Sequence, residues 1–252
     1  MKFIKLLTNN LISGLSIYII LISLNACTSQ QTITSPDSSP IPISGVIDRN
    51  EEVFWWAYRF KVNWPPESQA NNAVDLLLAH SVVKPVLEKY ANQLARWRFH
   101  RRHARDDAGH QFSFIFYSNR DTAINVIEEI NGNIILNQAL ADNIVIKTII
   151  DDPNKPVRPE IEGLSDPSWS VAMQKNWPSY IMGVSALWLG LIDDAMSDTH
   201  EYRDNDMLLE QYKTADTKIT SIWKEEGQHA LLHHLNAIFG YEALLIRKET
   251  RF

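Results

Sequence analysis

Two groups of residues have the types and spacing that chemistry requires, and the first lies near the C-terminus. Glu226, His229 and His233 recur at intervals of three and four residues. On a helix this spacing places a carboxylate and two imidazoles on one face, where they could hold Zn²⁺ or iron. Asp193 or Asp194 could supply a fourth ligand. The alternative is a structural stripe in which these side chains hydrogen-bond beside the core. The sequence favours that alternative, so no cofactor is expected.

The second group is a basic stretch at residues 96–103, in which arginine and histidine alternate with aromatic residues. Guanidinium groups arranged on one face could bind a carboxylate, a phosphate or a sugar acid through paired hydrogen bonds. In the alternative interpretation, this face pairs with acidic residues of the C-terminal helices. The candidate anion-binding residues are Arg59, Arg96, Arg98, His100 and His110, with Lys61 beside them.

The elements that would position these residues follow from hydrophobic periodicity. Residues 53–64, 96–100, 111–118 and 144–150 alternate or are rich in β-formers, which predicts four strands. Apolar residues recur at helical intervals over 67–94 and about 119–140, which predicts helices there. The order β-α-β-β-α-β is that of a ferredoxin-like sandwich, so we expect an α+β fold with a ferredoxin-like half.

The rest of the chain, residues 165–252, predicts a helical half packed on that sheet. A helix from Pro178 to Met196 is apolar nearly all round, which predicts a buried central helix. A last helix covers about 205–239, with Gly240 as its C-cap, and 241–247 could form a closing strand.

The N-terminus carries an export signal. Lys2 and Lys5 precede an apolar run at 11–24, which ends in Leu24-Asn25-Ala26-Cys27. This ending resembles the lipobox of bacterial lipoproteins. The resemblance implies that residues 1–26 are a signal peptide and that Cys27 becomes the lipidated N-terminus. The alternatives are an ordinary secretory signal with a chance cysteine, or an uncleaved anchor.

A Ser/Thr/Pro/Gln-rich stretch follows the cysteine, so residues 27–46 are expected to form the lipidated residue and a flexible tether. Residues 47–252 then form a single globular domain, with a sheet half at 47–152 and the helical half at 165–252. The expected location is the cell envelope, lipid-anchored, with the outer membrane favoured if the source has two membranes.

A second resemblance covers residues 95–162. Trp97-Arg98-Phe99, His110-Gln111-Phe112-Ser113-Phe114 and Arg158-Pro159-Glu160-Ile161 resemble the small domain of thiopeptide-type bacteriocin biosynthesis proteins. That domain is also the C-terminal elimination module of lantibiotic dehydratases. The resemblance matches Arg98 and His110, and it implies either retained chemistry or a reused fold without it.

The net charge of the chain limits the classes of partner that it can bind. Loss of residues 1–26 removes two lysines, so 22 basic residues face 30 acidic ones and the formal charge changes from −6 to −8. Such a surface disfavours nucleic acid. We expect a membrane-anchored binding or accessory protein whose partner is an envelope protein or a small anion. The alternative is an envelope enzyme, metal-dependent through His229 and His233 or acting on an anion at Arg98.

Overall fold

The computed structural model describes residues 52–197 and 205–243. The predicted signal peptide, Cys27 and the tether lie outside the described residues, as does most of the possible closing strand at 241–247. Residues 241–243, where that strand would begin, form a turn and coil.

The sheet has four strands, and the α+β class is confirmed. Each of its three strand pairs is antiparallel, and the order across the sheet is β2-β3-β1-β4. All four strands lie where the periodicity predicts them: β1 (Val53–Val62), β2 (Arg96–His103), β3 (His110–Asn119) and β4 (Val145–Ile150).

One face of the sheet, here called the helix face, forms the main core. Alternate residues of the strands project from it into a single cluster with the helices. Each large side chain buried here contributes about 1.5–3 kcal/mol through removal of apolar surface from water. The buried aromatic residues on this face include Trp56, Tyr58, Phe60, Trp97, Phe99, Phe112, Phe114 and Phe116.

Helices connect the strands on that face. A helical run between β1 and β2 consists of α1 (Asn72–Leu77), a π-helical segment (Leu78–Val83) and α2 (Lys84–Tyr90). Between β3 and β4 lie α3 (Arg120–Gly132) and α4 (Ile134–Ala141). Asn119 caps α3, because its side chain accepts a hydrogen bond from the Thr122 amide at 2.8 Å.

The opposite face, here called the outer face, is covered in part by the loop after β4. Trp55 donates hydrogen bonds from its amide to the Arg158 carbonyl at 2.9 Å and from its indole to the Ile161 carbonyl at 3.0 Å. The Tyr117 hydroxyl donates to the Pro159 carbonyl at 2.5 Å. A second small core of Trp55, Ala57, Ile115 and Tyr117 therefore lies under this loop.

The C-terminal helices are α5 (Val171–Met196), α6 (Asn205–Gly227), a π-helical segment (Gln228–His233) and α7 (His234–Ile238). Gly240 follows with φ of +72°, as a C-cap requires. The prediction that this helix starts at Pro178 is wrong, because α5 begins at Val171 with the Ser170 hydroxyl as its N-cap. In the described part of the chain, no helix is both long enough and apolar enough to span a membrane.

The prediction that α5 is buried all round is also wrong. Met182, Leu189 and Ile192 are buried, but Tyr180 and Leu187 on other sides are 52% and 44% exposed. The helix lies beside β2, whose Phe99 amide donates to the Ser185 hydroxyl at 3.0 Å. An α5 hydroxyl thus satisfies a backbone donor of this edge strand.

Candidate functional site

The strand register places four of the five candidate anion-binding residues on the outer face. His100 of β2 and Arg59 of β1 both lie opposite Ser113 of β3, so these three residues form one row across the sheet. Arg98 and Arg96 occupy the next two positions of the same face on β2. The alternation of the sequence was sufficient to predict this grouping.

Arg98 is the candidate arginine whose side chain forms no hydrogen bond or ion pair with the described residues. Its guanidinium lies over the ring of Trp177, 4.9 Å from the ring centroid, and its Nε is buried without a hydrogen-bond partner. Among the described residues, no carboxylate forms an ion pair with it. Burial lowers the pKa of Arg98 to about 10, which leaves it charged at neutral pH.

His100 lies in the positive field of its neighbours. Partial burial lowers the pKa of His100, and the charges of Arg98 and Arg102 lower it further. A neutral imidazole can both donate and accept a hydrogen bond, whereas an anion bound beside it would favour the protonated, doubly donating form. His100 is therefore suited to respond to an anion at Arg98.

The other two arginines of the group have partners already. Arg59 Nη1 lies 2.8 Å from Asp151 Oδ1, and Arg158 pairs with the second oxygen of the same carboxylate. Arg96 donates from Nη1 to the Ala95 carbonyl at 2.6 Å, while its Nε is buried without a partner. The acid that pairs with Arg59 follows β4, so it does not come from the C-terminal helices as the alternative interpretation supposed.

His110, the fifth candidate, lies on the helix face and is 1% exposed. Its Nε2 lies 2.7 Å from Oδ1 of Asp75, an α1 residue that is itself fully buried. The structure therefore separates His110 from the outer-face residues by the thickness of the sheet. The sequence did not identify Asp75, although a single acid in the apolar run 74–78 was a usable signal.

Asp75 accepts contacts from three basic side chains. Besides His110, Arg101 Nε donates to Oδ2 at 2.8 Å and His103 Nε2 lies 3.3 Å from the same oxygen. Burial alone would raise the pKa of Asp75, but the hydrogen bonds from His103 and His110 and the charge of Arg101 outweigh it. They hold the pKa well below its usual range, so the carboxylate is ionised.

The C-terminal stripe that the sequence offered as a possible metal site lies at the surface of the protein. Glu226, His229 and His233 are all exposed, and the two imidazole rings stack with centroids 5.2 Å apart. Asp193, one of the two candidates for a fourth ligand, instead bonds to His80 and Lys84. Among the described residues, the three potential ligands whose donor atoms lie within 4.8 Å of one another are Asp75, His103 and His110.

A hydrogen-bonded chain joins the first π-helical segment to α5 and α6. His80 Nε2 lies 3.1 Å from Asp193 Oδ1, and its Nδ1 lies 2.8 Å from the Tyr212 hydroxyl. Ser81 Oγ lies 2.6 Å from the same hydroxyl. Burial raises the pKa of Tyr212 to about 12, while burial, aided by the charge of Lys84, lowers the pKa of His80.

The lowered pKa of His80 predicts loss of stability in acid. The ordinary pKa of a histidine is 6.5, so below this pH the imidazole of His80 binds a proton more readily in the unfolded chain than in the folded one. The free energy of unfolding is therefore highest above this pH and falls as the pH drops below it. Urea unfolding between about pH 7.5 and about pH 5.5 should give a shallower pH dependence for His80→Gln. The matched control is exposed His229→Gln, and an unchanged slope in His80→Gln would contradict the assignment.

Comparison of the chain with protein-family models, with curated proteins and with solved structures found no match. Arg98 and His110, the two positions matched by the thiopeptide-type resemblance, lie on opposite faces of the sheet and do not form one site.

Proposed function

We propose that this chain is a lipid-anchored protein of the cell envelope that binds a small anionic ligand at Arg98 and His100. The observation that carries the proposal is the Arg98 guanidinium, which is partly desolvated and held against Trp177 without a carboxylate partner. A buried charge without a counter-charge is costly, and an anion from solution would offset that cost.

The indole of Trp177 also prepares the site. Contact with the indole restrains the guanidinium, so less side-chain entropy is lost when the arginine binds an anion. A carboxylate or phosphate can accept two parallel hydrogen bonds from such a fork, and His100 lies two residues along the same strand as a further donor. The acidity of the whole domain favours a small anion over a polyanion.

We further propose that the sheet half is a ferredoxin-like sandwich. Three features support this: the strand order β2-β3-β1-β4, the antiparallel pairing, and helical connections that pack on one face. Because both helical connections lie on the helix face, the outer face is left for a ligand and for the loop that follows β4.

The proposed membrane location rests on the sequence alone. Leu24-Asn25-Ala26-Cys27 supports cleavage after residue 26 and acylation of Cys27, and the composition of 28–46 supports a tether. The domain would then capture its anion at the envelope, at the outer membrane in a source with two membranes. A protein partner in the envelope could deliver or receive that anion.

Anion titration tests the binding proposal. Calorimetric titration of the detergent-solubilised full chain with citrate, and separately with inorganic phosphate, should show saturable binding of at least one. Arg98→Gln should weaken that binding by roughly 10- to 100-fold, the equivalent of a lost charged hydrogen bond. Circular dichroism should show an unchanged fold.

Arg105→Gln is the matched control. Arg105 also stacks on an indole, 3.5 Å from a Trp64 ring centroid, but its guanidinium already donates to the carbonyls of Trp64, Pro65 and Ser68. Its substitution should leave the affinity unchanged. Absence of binding in the wild type, or an equal loss in both variants, would contradict the proposed site.

A further inference from the structure

We propose that Asp75, His103 and His110 form a site for a divalent first-row transition metal on the helix face, separate from the anion site. Two imidazoles and one carboxylate are a recurrent ligand set for such ions. Hard cations such as Ca²⁺ and Mg²⁺ prefer oxygen ligands alone, so the two histidines favour Zn²⁺ or iron.

The donor atoms are already near the spacing that a metal needs. Asp75 Oδ1 lies 2.7 Å from His110 Nε2, Asp75 Oδ2 lies 3.3 Å from His103 Nε2, and the three donor groups lie within 4.8 Å of one another. In a tetrahedral site with bonds of about 2.0–2.1 Å, neighbouring ligand atoms are about 3.3 Å apart. Coordination therefore requires the Asp75–His110 contact to widen from 2.7 Å toward that spacing, whereas Asp75 and His103 already lie 3.3 Å apart.

Rigid elements hold all three ligands. His103 ends β2 and His110 begins β3, and the register pairs them directly across the hairpin with ring centroids 4.3 Å apart. Asp75 comes from α1, which packs against α6. A site built on strands and a helix keeps its geometry without the metal, which favours binding.

Arg101 and Asp216 supply the surroundings of the site. Arg101 donates to Oδ2 of Asp75 and so fixes the carboxylate, as outer-shell partners of metal ligands do. Burial raises the pKa of Asp216 of α6, and the charge of Asp75 raises it further, whereas the charge of Arg101 lowers it. Two ionised carboxylates with one arginine leave the group with net negative charge, which favours a cation over an anion at this position.

Exposure indicates where the ion would enter. The side chains of Asp75 and His110 are fully buried, whereas that of His103 is 29% exposed. An ion held by all three would therefore be reached past His103, and a water could occupy the remaining position on that side. Three protein ligands with one open position are the arrangement of catalytic zinc sites.

Titration of the detergent-solubilised full chain with Co²⁺ tests the site. We expect one equivalent to bind, with the strong visible absorption of low-coordinate Co²⁺, and Zn²⁺ to abolish that absorption. His103→Gln should weaken Co²⁺ binding by at least about 100-fold, the upper range for loss of an outer-shell partner. This variant changes a partly exposed side chain, so its circular dichroism should match that of the wild type.

The double variant His229→Gln/His233→Gln is the matched control, because it removes an exposed pair of imidazoles and leaves the proposed ligands intact. It should bind Co²⁺ as the wild type does. A second readout needs no variant: bound Co²⁺ should shift the ring protons of His103 and His110 in the wild type. Absence of Co²⁺ binding, binding retained by His103→Gln, or loss of binding in the double variant would overturn the proposal.

Discussion

Replacement of Asp75 by Ala should lower the free energy of unfolding by about 3–5 kcal/mol, the range for breaking a buried ion pair from one side. Asp75 is fully buried and accepts from Arg101, His103 and His110. Its removal leaves the Arg101 charge and the fully buried His110 without their acceptor, in addition to a small cavity. The helix α1 would also lose its polar link to the β2–β3 hairpin.

Urea unfolding in the presence of a chelator measures this effect without a contribution from metal. The matched control is Asp106→Ala, which removes a carboxylate that pairs with Arg102 at the exposed turn of the same hairpin. Its denaturation midpoint should fall far less than that of Asp75→Ala, because water screens the pair and the turn hydrogen bonds that Asp106 accepts from the Ala108 and Gly109 amides are also exposed. An Asp75→Ala midpoint equal to that of Asp106→Ala would show that the buried carboxylate does not stabilise the fold.

Replacement of Cys27 by Ser should abolish fatty-acid labelling of the chain in a bacterial host and release the domain from the membrane fraction. The acyl chains would supply most of the membrane affinity, since each buried methylene contributes about 0.8 kcal/mol. Thr28→Ala is the control and should be labelled and retained. Labelling that persists in Cys27→Ser would refute the anchor.

The strands were predictable because their alternation is local. Aromatic residues at every second position of β1 and β3 reflect one buried face, and the register follows once that face is known. The same alternation placed Arg98 and His100 together on the outer face. It did not show that Trp55 is buried, because the loop at 158–164 that covers it is distant in sequence.

The partners of the candidate residues were not predictable, since each depends on contacts between distant segments. Trp177 lies 79 positions after Arg98 in the chain, and nothing in the pattern of α5 indicates which side chain it meets. Asp75 and His110 are joined across 35 positions. The two π-helical segments likewise carry no sequence signature, and the helical spacing at 67–94 and 205–239 predicted ordinary helices.

Arginine side-chain resonances test the central claim most directly. During titration of the ¹⁵N-labelled chain with citrate or inorganic phosphate, the Nε–Hε resonance of Arg98 and the ring resonances of His100 should shift together and saturate. The Nε–Hε resonance of Arg105 should stay in place, because its guanidinium already donates to three carbonyls. Saturable binding of either anion that leaves the Arg98 resonance unmoved would contradict an anion site at the outer face.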